Sequence, residues 1–251
     1  MHLPATLLDP KMTGATSATQ TAFQRAYKTM RSFWDVIENG DQSDPGTAEL
    51  REILPLSMVG QEATTHCPDA ADALCYRLTA SLGNATIVDV GGGVGSMCLE
   101  LANVFPDLRF VVEDLQVHIK EAKAVCAAEI PGAVESGRVQ LTVHDFFTVQ
   151  PVKGAAVYIL RHVLHDWADD ECRICSSILP WARRTSKPHW RPYGQASTFK
   201  GHQEMVMLAL LNGRERTSEE LEGIARRAGL RIEKSWECRA PVDVIELRLL
   251  E

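Results

Sequence analysis

A glycine-rich turn between a short strand and a helix is the feature that most constrains the fold of this sequence. Residues 86–90 read TIVDV, a β-branched run, and residues 91–95 read GGGVG. The residues that follow, SMCLELANVF, carry the apolar pattern of a helix. Glycines let the backbone turn tightly and let a ligand approach closely, while the N-terminus of the next helix favours an anionic group. The pattern therefore predicts a nucleotide-binding α/β unit.

Further strand patterns follow the turn and alternate with helices. The strands read RFVVEDL, RVQLTVHDF and AAVYIL, and residues 116–129 have a helical pattern. This alternation predicts a doubly wound, mostly parallel Rossmann-like sheet of the α/β class over residues 83–251. A late helix, SEELEGIARRAGL, has Gly229 just beyond its end and precedes two segments expected to pair antiparallel, LRIEKSWE and PVDVIELRLL.

The segments outside this pattern lead to three further expectations. Residues 1–19 are rich in Pro, Thr, Ser and Gly and are predicted to be a flexible lead-in. Residues 20–82 are predicted to form a helical extension on the substrate side, with one helix over 20–38 that ends at Asn39 and Gly40. Residues 183–203 hold two prolines, five Lys or Arg and no apolar run. They are predicted to be an atypical solvated loop, although a doubly wound sheet should place a strand there.

Composition excludes several classes of function. The net charge of −7 does not steer the chain onto nucleic acid or an anionic membrane. No apolar run is long enough for a transmembrane helix, and no basic residue precedes the first apolar patch, which argues against a secretory signal. Seven scattered cysteines predict reduced thiols in a cytoplasmic protein. Cys172 and Cys175 form a CxxC without a second pair, so no metal site is predicted.

The glycine spacing favours S-adenosyl-L-methionine as the cofactor. The dinucleotide frame GxGxxG would end on Ser96 and fits poorly. The frame DxGxGxG fits fully, and the predicted cofactor-binding residues of this segment are Asp89, Gly91, Gly92, Gly93 and Gly95. It suits a cofactor that has an amino-acid tail and no pyrophosphate. A plain tight loop is the alternative interpretation of the turn.

Acidic and aromatic residues at the ends of the next two strands extend the predicted site. Asp114 ends the second strand, where an acid holds the ribose hydroxyls, whereas Glu113 points to the opposite face. The third strand ends in HDFF, where Asp145 can accept from an adenine amino group and Phe146 can stack on the ring. The alternative for this pair is a helix cap and a core phenylalanine.

Taken together, the motifs resemble a known enzyme family. RHVLHDWADDEC, VDVGGGVGS, FVVEDL, HDFF and NGRERTSEEL are similar to segments of the plant and fungal small-molecule O-methyltransferases. These are class I S-adenosylmethionine enzymes of the caffeic-acid type, and HDFFTVQPVKGA is most similar to fungal members. The resemblance covers roughly residues 20–180 and 204–251.

The resemblance implies roles for individual residues. The general base falls on His165, and Glu215 orients it. Arg161 contacts the cofactor, and Phe23 and Tyr27 line the acceptor pocket. Trp167 is a further candidate for closing that pocket. The implied reaction methylates a phenolic or polyketide-like hydroxyl in secondary metabolism. A neutral His, with a pKa near 6.5, can accept the proton of a phenol, with a pKa near 10, as the oxygen attacks a sulfonium methyl.

Two departures from the family pattern leave an alternative open. Family members carry a dimerisation domain before the helix that starts here near Gln20, and this chain is expected to lack it, which leaves its oligomeric state open. The family's fifth strand, which ends in an acid beside the base, has no match in 183–203. A catalytically silent relative that binds the cofactor or a partner chain is therefore the alternative. A nicotinamide-dependent oxidoreductase is disfavoured by Ser96 and by the lack of a Tyr-x-x-x-Lys pair.

Overall fold

The structure is a computed structural model that describes residues 2–41, 43–54, 83–172, 185–189, 198–236 and 243–250. Contacts between residues divide the chain into two units. The larger unit comprises Cys67–Val163, Cys172–Trp190 and Ser218–Glu251. The smaller unit comprises Met1–His66, Leu164–Glu171 and Arg191–Thr217. The division between them therefore falls inside the RHVLHDW segment.

All of the strands with described ends belong to one sheet in the larger unit. They are β1 (Thr86–Val90), β2 (Arg109–Asp114), β3 (Val139–Val143), β4 (Val157–Ile159), β5 (Thr185–His189), β6 (Leu230–Trp236) and β7 (Asp243–Leu249). Their order is β3-β2-β1-β4-β5-β7-β6, and β7 is the one strand of these seven that runs opposite to the rest. This sheet confirms the predicted doubly wound, mostly parallel α/β fold, including the antiparallel pair at the end of the chain.

Most of the helices lie where the apolar periodicity predicts them. In chain order they are α1 (Leu3–Leu7), α2 (Ala22–Tyr27), α3 (Phe33–Asn39), α4 (Ser96–Val104), α5 (Gln116–Glu129), α6 (Pro131–Glu135), α7 (Thr198–Leu211) and α8 (Ser218–Arg227). Residues 45–54 and 169–172 are also helical. In α8 the acids stand in the first turn and Arg226 and Arg227 in the last, which complements the helix dipole.

The core of the larger unit forms on the face of the sheet that α4 and α5 cover. Ile87 and Phe110 pair across β1 and β2, and both are almost fully buried. Leu101 of α4 and Ile119 of α5 belong to the same buried cluster. Since parallel strands are buried on both faces, their apolar runs place the sheet inside the unit and leave its carboxyl edge for polar side chains.

Residues 183–203 differ from the prediction of a loop. The structure places β5 at Thr185–His189, parallel to β4 and antiparallel to β7, and α7 starts at Thr198. The segment TSKPH lacks the β-branched and apolar pattern from which a strand is recognised, so sequence analysis missed it. Backbone pairing with strands on both sides holds it instead.

The N-terminal segments also differ in detail from expectation. Within the predicted lead-in 1–19, the structure contains α1. The single helix expected over 20–38 is two helices, because Lys28 adopts a left-handed conformation with φ of 50° and ends α2. Thr21 starts α2 with a capping box, and α3 ends at Asn39 as predicted. The part of the helical extension from 55 to 82 lies outside the described residues.

A buried polar group lies on the opposite face of β2 from Asp114. Glu113 is 1% exposed, and one of its carboxylate oxygens accepts a hydrogen bond of 2.8 Å from the Gln150 amide. Gln150 in turn accepts from the backbone N–H of Val152, whose carbonyl accepts from the Tyr158 hydroxyl. Burial raises the pKa of Glu113 from 4.5 to about 7, although the Gln150 hydrogen bond opposes the shift.

Replacing Glu113 with glutamine is expected to flatten the pH dependence of stability. The folded state holds the carboxyl proton more tightly than the unfolded state, whose pKa is 4.5. The free energy of unfolding therefore falls as the pH rises from about 4.5 to about 7, by up to about 3 kcal/mol. Urea midpoints at about pH 5 and about pH 8 measure that fall, which the glutamine variant should reduce. The exposed Glu129→Gln is the matched control, and an equal fall in parent and variant would contradict the prediction.

Candidate active site

The glycine turn hooks over the end of the neighbouring strand β2. The backbone N–H groups of Gly91 and Gly92 both donate to the carbonyl oxygen of Glu113, at 2.8 and 3.1 Å. The next N–H, of Gly93, donates to the Asp114 carboxylate at 2.7 Å. The helix α4 starts directly after Gly95. Successive N–H groups therefore fix the turn against β2 just before a helix N-terminus, which is the setting in which Rossmann-like folds bind nucleotides.

The glycines of the DxGxGxG frame are required for two different reasons. Gly91, Gly93 and Gly95 have φ values of 69°, 58° and 87°, which side chains rarely tolerate. Gly91 also has no room for a side chain, because a Cβ there would lie 2.7 Å from Val163 Cγ2. Gly92 has an ordinary backbone, but a Cβ on it would lie 2.8 Å from the Asp89 carboxylate. A cradle that side chains would fill fits a nucleoside-type cofactor in close contact with the backbone.

Asp89 occupies a different position from that expected of a direct cofactor ligand. Its side chain is only 2% exposed and lies beneath Gly92, on the face of β1 that packs against α4. The Cys98 thiol lies 3.7 Å from this carboxylate. The pKa of the thiol is raised mainly by burial and further by the charge of Asp89. Strand alternation turns Asp89 inward, so its carboxylate supports the turn from below.

Asp114 at the end of β2 and Phe146 after β3 lie next to the glycine turn. Asp114 ends β2, and its second oxygen accepts from the Leu115 N–H at 2.7 Å. The Phe146 ring lies next to Gly91, since a Cβ there would be 3.7 Å from Phe146 Cε1. Asp145 accepts from the Phe147 N–H at 2.9 Å, which shapes the turn after β3. Arg161 follows two residues after the end of β4.

The smaller unit brings the predicted base and its orienting acid together. His165 lies in a short 3-10 helix, Leu164–Asp166, and its Nδ1 is 2.7 Å from Glu215 Oε1. The two side chains are 10% and 12% exposed. Since a carboxylate oxygen only accepts, the hydrogen is assigned to Nδ1, which leaves the lone pair on Nε2. Asp166 Oδ1 lies 3.3 Å from Nε2.

The charges around His165 strengthen it as a base. Burial by itself lowers the pKa of an imidazole, but the neighbouring Asp166 and the hydrogen bond and charge of Glu215 outweigh it, so the pKa of His165 lies above 6.5. Burial raises the pKa of Asp166 to about 7, although His165 opposes this shift. The imidazolium that forms when His165 takes a proton is therefore stabilised by two carboxyl groups, which makes its neutral form a stronger base.

Sequence analysis missed two residues that hold this turn. Arg216 donates to the backbone carbonyls of Leu164 and Trp167, both at 2.6 Å. Gly213 packs so closely on the turn that a Cβ there would overlap the carbonyl oxygen of His165. Both belong to the NGRERT motif, in which the sequence analysis gave a role only to Glu215. The motif as a whole was the signal from which they could have been found.

The three predicted substrate residues have different surroundings. Phe23 is 2% exposed, and its ring stacks on Tyr27 at a centroid distance of 4.6 Å and meets Phe33 edge-on at 5.3 Å. Tyr27 is 41% exposed. Trp167 directly follows the 3-10 helix, and its carbonyl is held by Arg216. Tyr27 is exposed enough to contact an acceptor, whereas the buried Phe23 packs against the Tyr27 ring. The role of all three residues in acceptor binding stays a prediction.

In the parts of the chain that the structure describes, no group of three or more metal-binding side chains occurs. Among the helices described there, none is both long and apolar enough to cross a membrane.

The sheet order, the glycine turn with Asp114 and the buried His–Glu pair define the class of a Rossmann-like methyltransferase. The chain belongs to the O-methyltransferase family, because the domain model of that family matches residues 77–231, more than half of the chain. The family resemblance predicted from the motifs is thereby confirmed.

Individual relatives agree with this assignment. O-methyltransferase gedA of Aspergillus terreus is 37% identical, over 98% of this chain and 60% of the relative. The chain spans about three fifths of the length of the curated relatives it matches. Among solved structures, the mitomycin 7-O-methyltransferase MmcR is 28% identical with a TM-score of 0.74, over 91% of this chain and 63% of that one. OxaC in complex with SAH and oxaline is 23% identical with a TM-score of 0.78, over 99% and 62%, a likeness that shows the fold.

Proposed function

We propose that this chain acts as an S-adenosyl-L-methionine-dependent O-methyltransferase on a phenolic or polyketide-like hydroxyl of a small molecule in secondary metabolism. The observation that carries the proposal is the buried 2.7 Å contact between His165 Nδ1 and Glu215, which prepares Nε2 as a base. The relative gedA and the structure MmcR are both named O-methyltransferases. A small molecule is the expected partner of a chain whose net charge is −7.

The larger unit supplies the cofactor site of the proposal. Gly91, Gly92 and Gly93 form the cradle, Asp114 accepts from the ribose hydroxyls, and Phe146 contacts the adenine. Asp145 and Arg161 complete the proposed set. When bound, S-adenosyl-L-methionine supplies an electrophilic methyl group. OxaC, whose structure holds SAH, shares this fold.

In the smaller unit, His165 handles the proton. Nδ1 donates to Glu215, so Nε2 is the atom that accepts the proton of the acceptor hydroxyl. The buried Asp166 beside Nε2 stabilises the positive charge that then appears on the ring. The buried setting of both side chains keeps water from competing for these contacts.

We place the protein in the cytoplasm as part of this proposal. Cys98, Cys126 and Cys172 are buried and form no disulfide, and these are the cysteines whose state is described. Reduced buried cysteines are typical of a reducing compartment.

Replacing Asp114 with asparagine is expected to weaken binding of S-adenosylhomocysteine by about 10- to 100-fold. Asparagine keeps one oxygen for the Gly93 N–H but loses the charge that binds two ribose hydroxyls, a difference of about 1.5–3 kcal/mol. Isothermal titration calorimetry measures the dissociation constant. The exposed Asp107→Asn is the control, and equal affinities for parent and Asp114→Asn would remove Asp114 from the site.

Replacing Glu215 with glutamine is expected to move the acid limb of kcat to lower pH and to reduce its plateau. Glu215 raises the pKa of His165 through its hydrogen bond and its charge, so its neutral replacement lowers that pKa. The base is active when neutral, and the midpoint of the acid limb therefore follows its pKa downwards. A pH profile of kcat measures the shift against Glu222→Gln, an exposed acid in an i,i+4 pair. A shift to higher pH would contradict the assigned roles.

A methyl-transfer assay tests the proposed function directly. Isotope-labelled S-adenosyl-L-methionine is offered with a panel of phenols and polyketide-like hydroxy aromatics, and labelled ether products are expected. A chain that binds S-adenosylhomocysteine in calorimetry yet methylates no member of the panel would instead support the catalytically silent alternative. Binding of NAD in preference to S-adenosylhomocysteine would overturn both.

A further inference from the structure

Arg216 is a buried arginine of the smaller unit whose guanidinium binds the turn that carries His165. Its side chain is 2% exposed. Nη1 donates to Leu164 O and Nη2 to Trp167 O, each at 2.6 Å, while Nε donates to Asp169 Oδ1 at 3.0 Å. The guanidinium thus binds the backbone immediately before His165 and again two residues after it.

The carbonyls that Arg216 binds flank the turn that carries His165. The Leu164 carbonyl also accepts from the Trp167 N–H at 3.4 Å, and the Trp167 carbonyl lies just past the C-terminal end of the 3-10 helix, where no helical N–H is in place for it. Burial makes an unmet carbonyl costly. A planar fork with donors on three nitrogens can bind two carbonyls and a carboxylate at once. The ammonium of lysine is a point charge on a flexible stem and cannot reproduce that geometry. The arginine therefore fixes the path of the backbone at the base.

The neighbouring Glu215 links this clamp to the imidazole. Glu215 and Arg216 are adjacent in the chain, and the first binds His165 Nδ1 while the second binds the turn that bears His165. Gly213 lies against the His165 carbonyl from the same segment. Segment 213–216 therefore approaches the turn 164–169 at three points. The hydrogen bond between the acid and the base keeps its length only if the backbones of both segments hold their spacing.

We infer that Arg216 is a positioning residue for the base: it binds the backbone on both sides of His165 and so holds the imidazole against Glu215. The inference rests on the proposed function, because it assigns Arg216 to the same reaction. Arg216 contacts no reacting atom in this assignment and acts through His165.

The pKa of His165 distinguishes a positioning role of Arg216 from a purely structural one. The charged groups that shift the pKa of His165 are Asp166 and Glu215, which raise it, and Arg216, which lowers it. From α7, which packs against the 3-10 helix, the charged side chain described is Glu204, and it is exposed. Removal of the Arg216 charge by itself raises the pKa of His165, whereas loss of the Glu215 contact lowers it. A variant that keeps the charge and loses the fork therefore isolates the positioning role.

Three variants test the inference. Arg216→Met removes the charge and the fork, and Arg216→Lys keeps the charge but loses the fork. Arg214→Met is the matched control, because Arg214 also binds Asp169, at 3.0 Å, yet its side chain is 47% exposed. NMR titration of the imidazole resonances gives the pKa of His165, identified as the signal lost in His165→Ala, and kcat and KM are measured for all three.

The expected results differ among the variants. Arg216→Met should lower kcat by about tenfold or more, with the KM for S-adenosyl-L-methionine within about twofold. Arg216→Lys should lower the pKa of His165, because the charge stays while the contact with Glu215 weakens, and should still lose most of kcat. Arg214→Met should match the parent in both.

The outcomes separate this inference from the proposed function. A pKa of His165 in Arg216→Lys equal to that of the parent, or full kcat in that variant, would overturn the role of Arg216. If Arg216→Met does not fold, as judged by circular dichroism, Arg216→Lys decides: full activity overturns the inference and a selective loss of kcat supports it. If the parent chain methylates nothing, the proposed function fails, and the pKa of His165 in Arg216→Lys against Arg214→Met still decides whether Arg216 positions the imidazole.

Discussion

His165→Ala is expected to lower kcat by about a hundred- to ten-thousand-fold, the range that general-base catalysis supplies. The alanine removes Nε2, the atom that in the proposal accepts the proton of the acceptor hydroxyl. Gly91, Gly93 and Asp114 hold the cofactor in the proposal, and the change touches none of them, so the affinity for S-adenosylhomocysteine should stay within about twofold. Single-turnover methyl transfer and calorimetry measure the two quantities.

His165→Gln is the matched control for structural damage at this site. Its amide can donate to Glu215 as Nδ1 does, so the buried carboxylate keeps a partner, but it cannot act as a base at neutral pH. Both variants should therefore lose turnover to a similar extent. Parent-like turnover in either one would show that another group takes the proton.

Gly213→Ala is expected to cost on the order of 3–5 kcal/mol of stability and nearly all turnover. The added methyl would overlap the carbonyl oxygen of His165 and lie 2.8 Å from the carbonyl carbon of Asp166. Both are backbone atoms, so no side-chain rotation relieves the clash, and segment 213–216 must move away from the turn. Glu215 moves with it and loses its contact with His165.

Thermal unfolding and kcat test this second prediction. The expected loss corresponds to a fall in Tm of roughly 10 °C for a chain of this size. Gly132→Ala is the control, because a Cβ there meets nothing within 4 Å and α6 favours alanine over glycine. A Gly213→Ala protein with parent-like Tm and kcat would mean that the turn and segment 213–216 are not held together as the structure has them.

Much of the fold could be predicted from local patterns alone. The β-branched run before the glycine turn, the alternation of strands and helices and the amphipathic α8 each carry their own signal within about ten residues. The bounds of α5 and the antiparallel pair of β6 and β7 follow from such signals. Patterns failed where a local backbone choice overrides them: Lys28 splits the predicted helix over 20–38 by adopting φ of 50°.

The strand β5 shows why some elements cannot be predicted in this way. TSKPH has a proline and no apolar alternation, so its own residues do not favour a strand. It pairs with β4 and β7, which come from distant parts of the chain. The hydrogen bonds of its neighbours, rather than its side chains, determine its conformation.

The sequence by itself determined the family, the glycine frame and the residue types of the proposed base and its acid, because these signals lie in contiguous motifs. Tertiary structure alone decided that Asp89 lies buried beneath the turn, next to Gly92 and to Cys98 of α4. It also decided that Arg216 and Gly213 hold the turn of His165. Those contacts join residues about fifty positions apart, and their hydrogen bonds and steric limits exist only once the chain has folded.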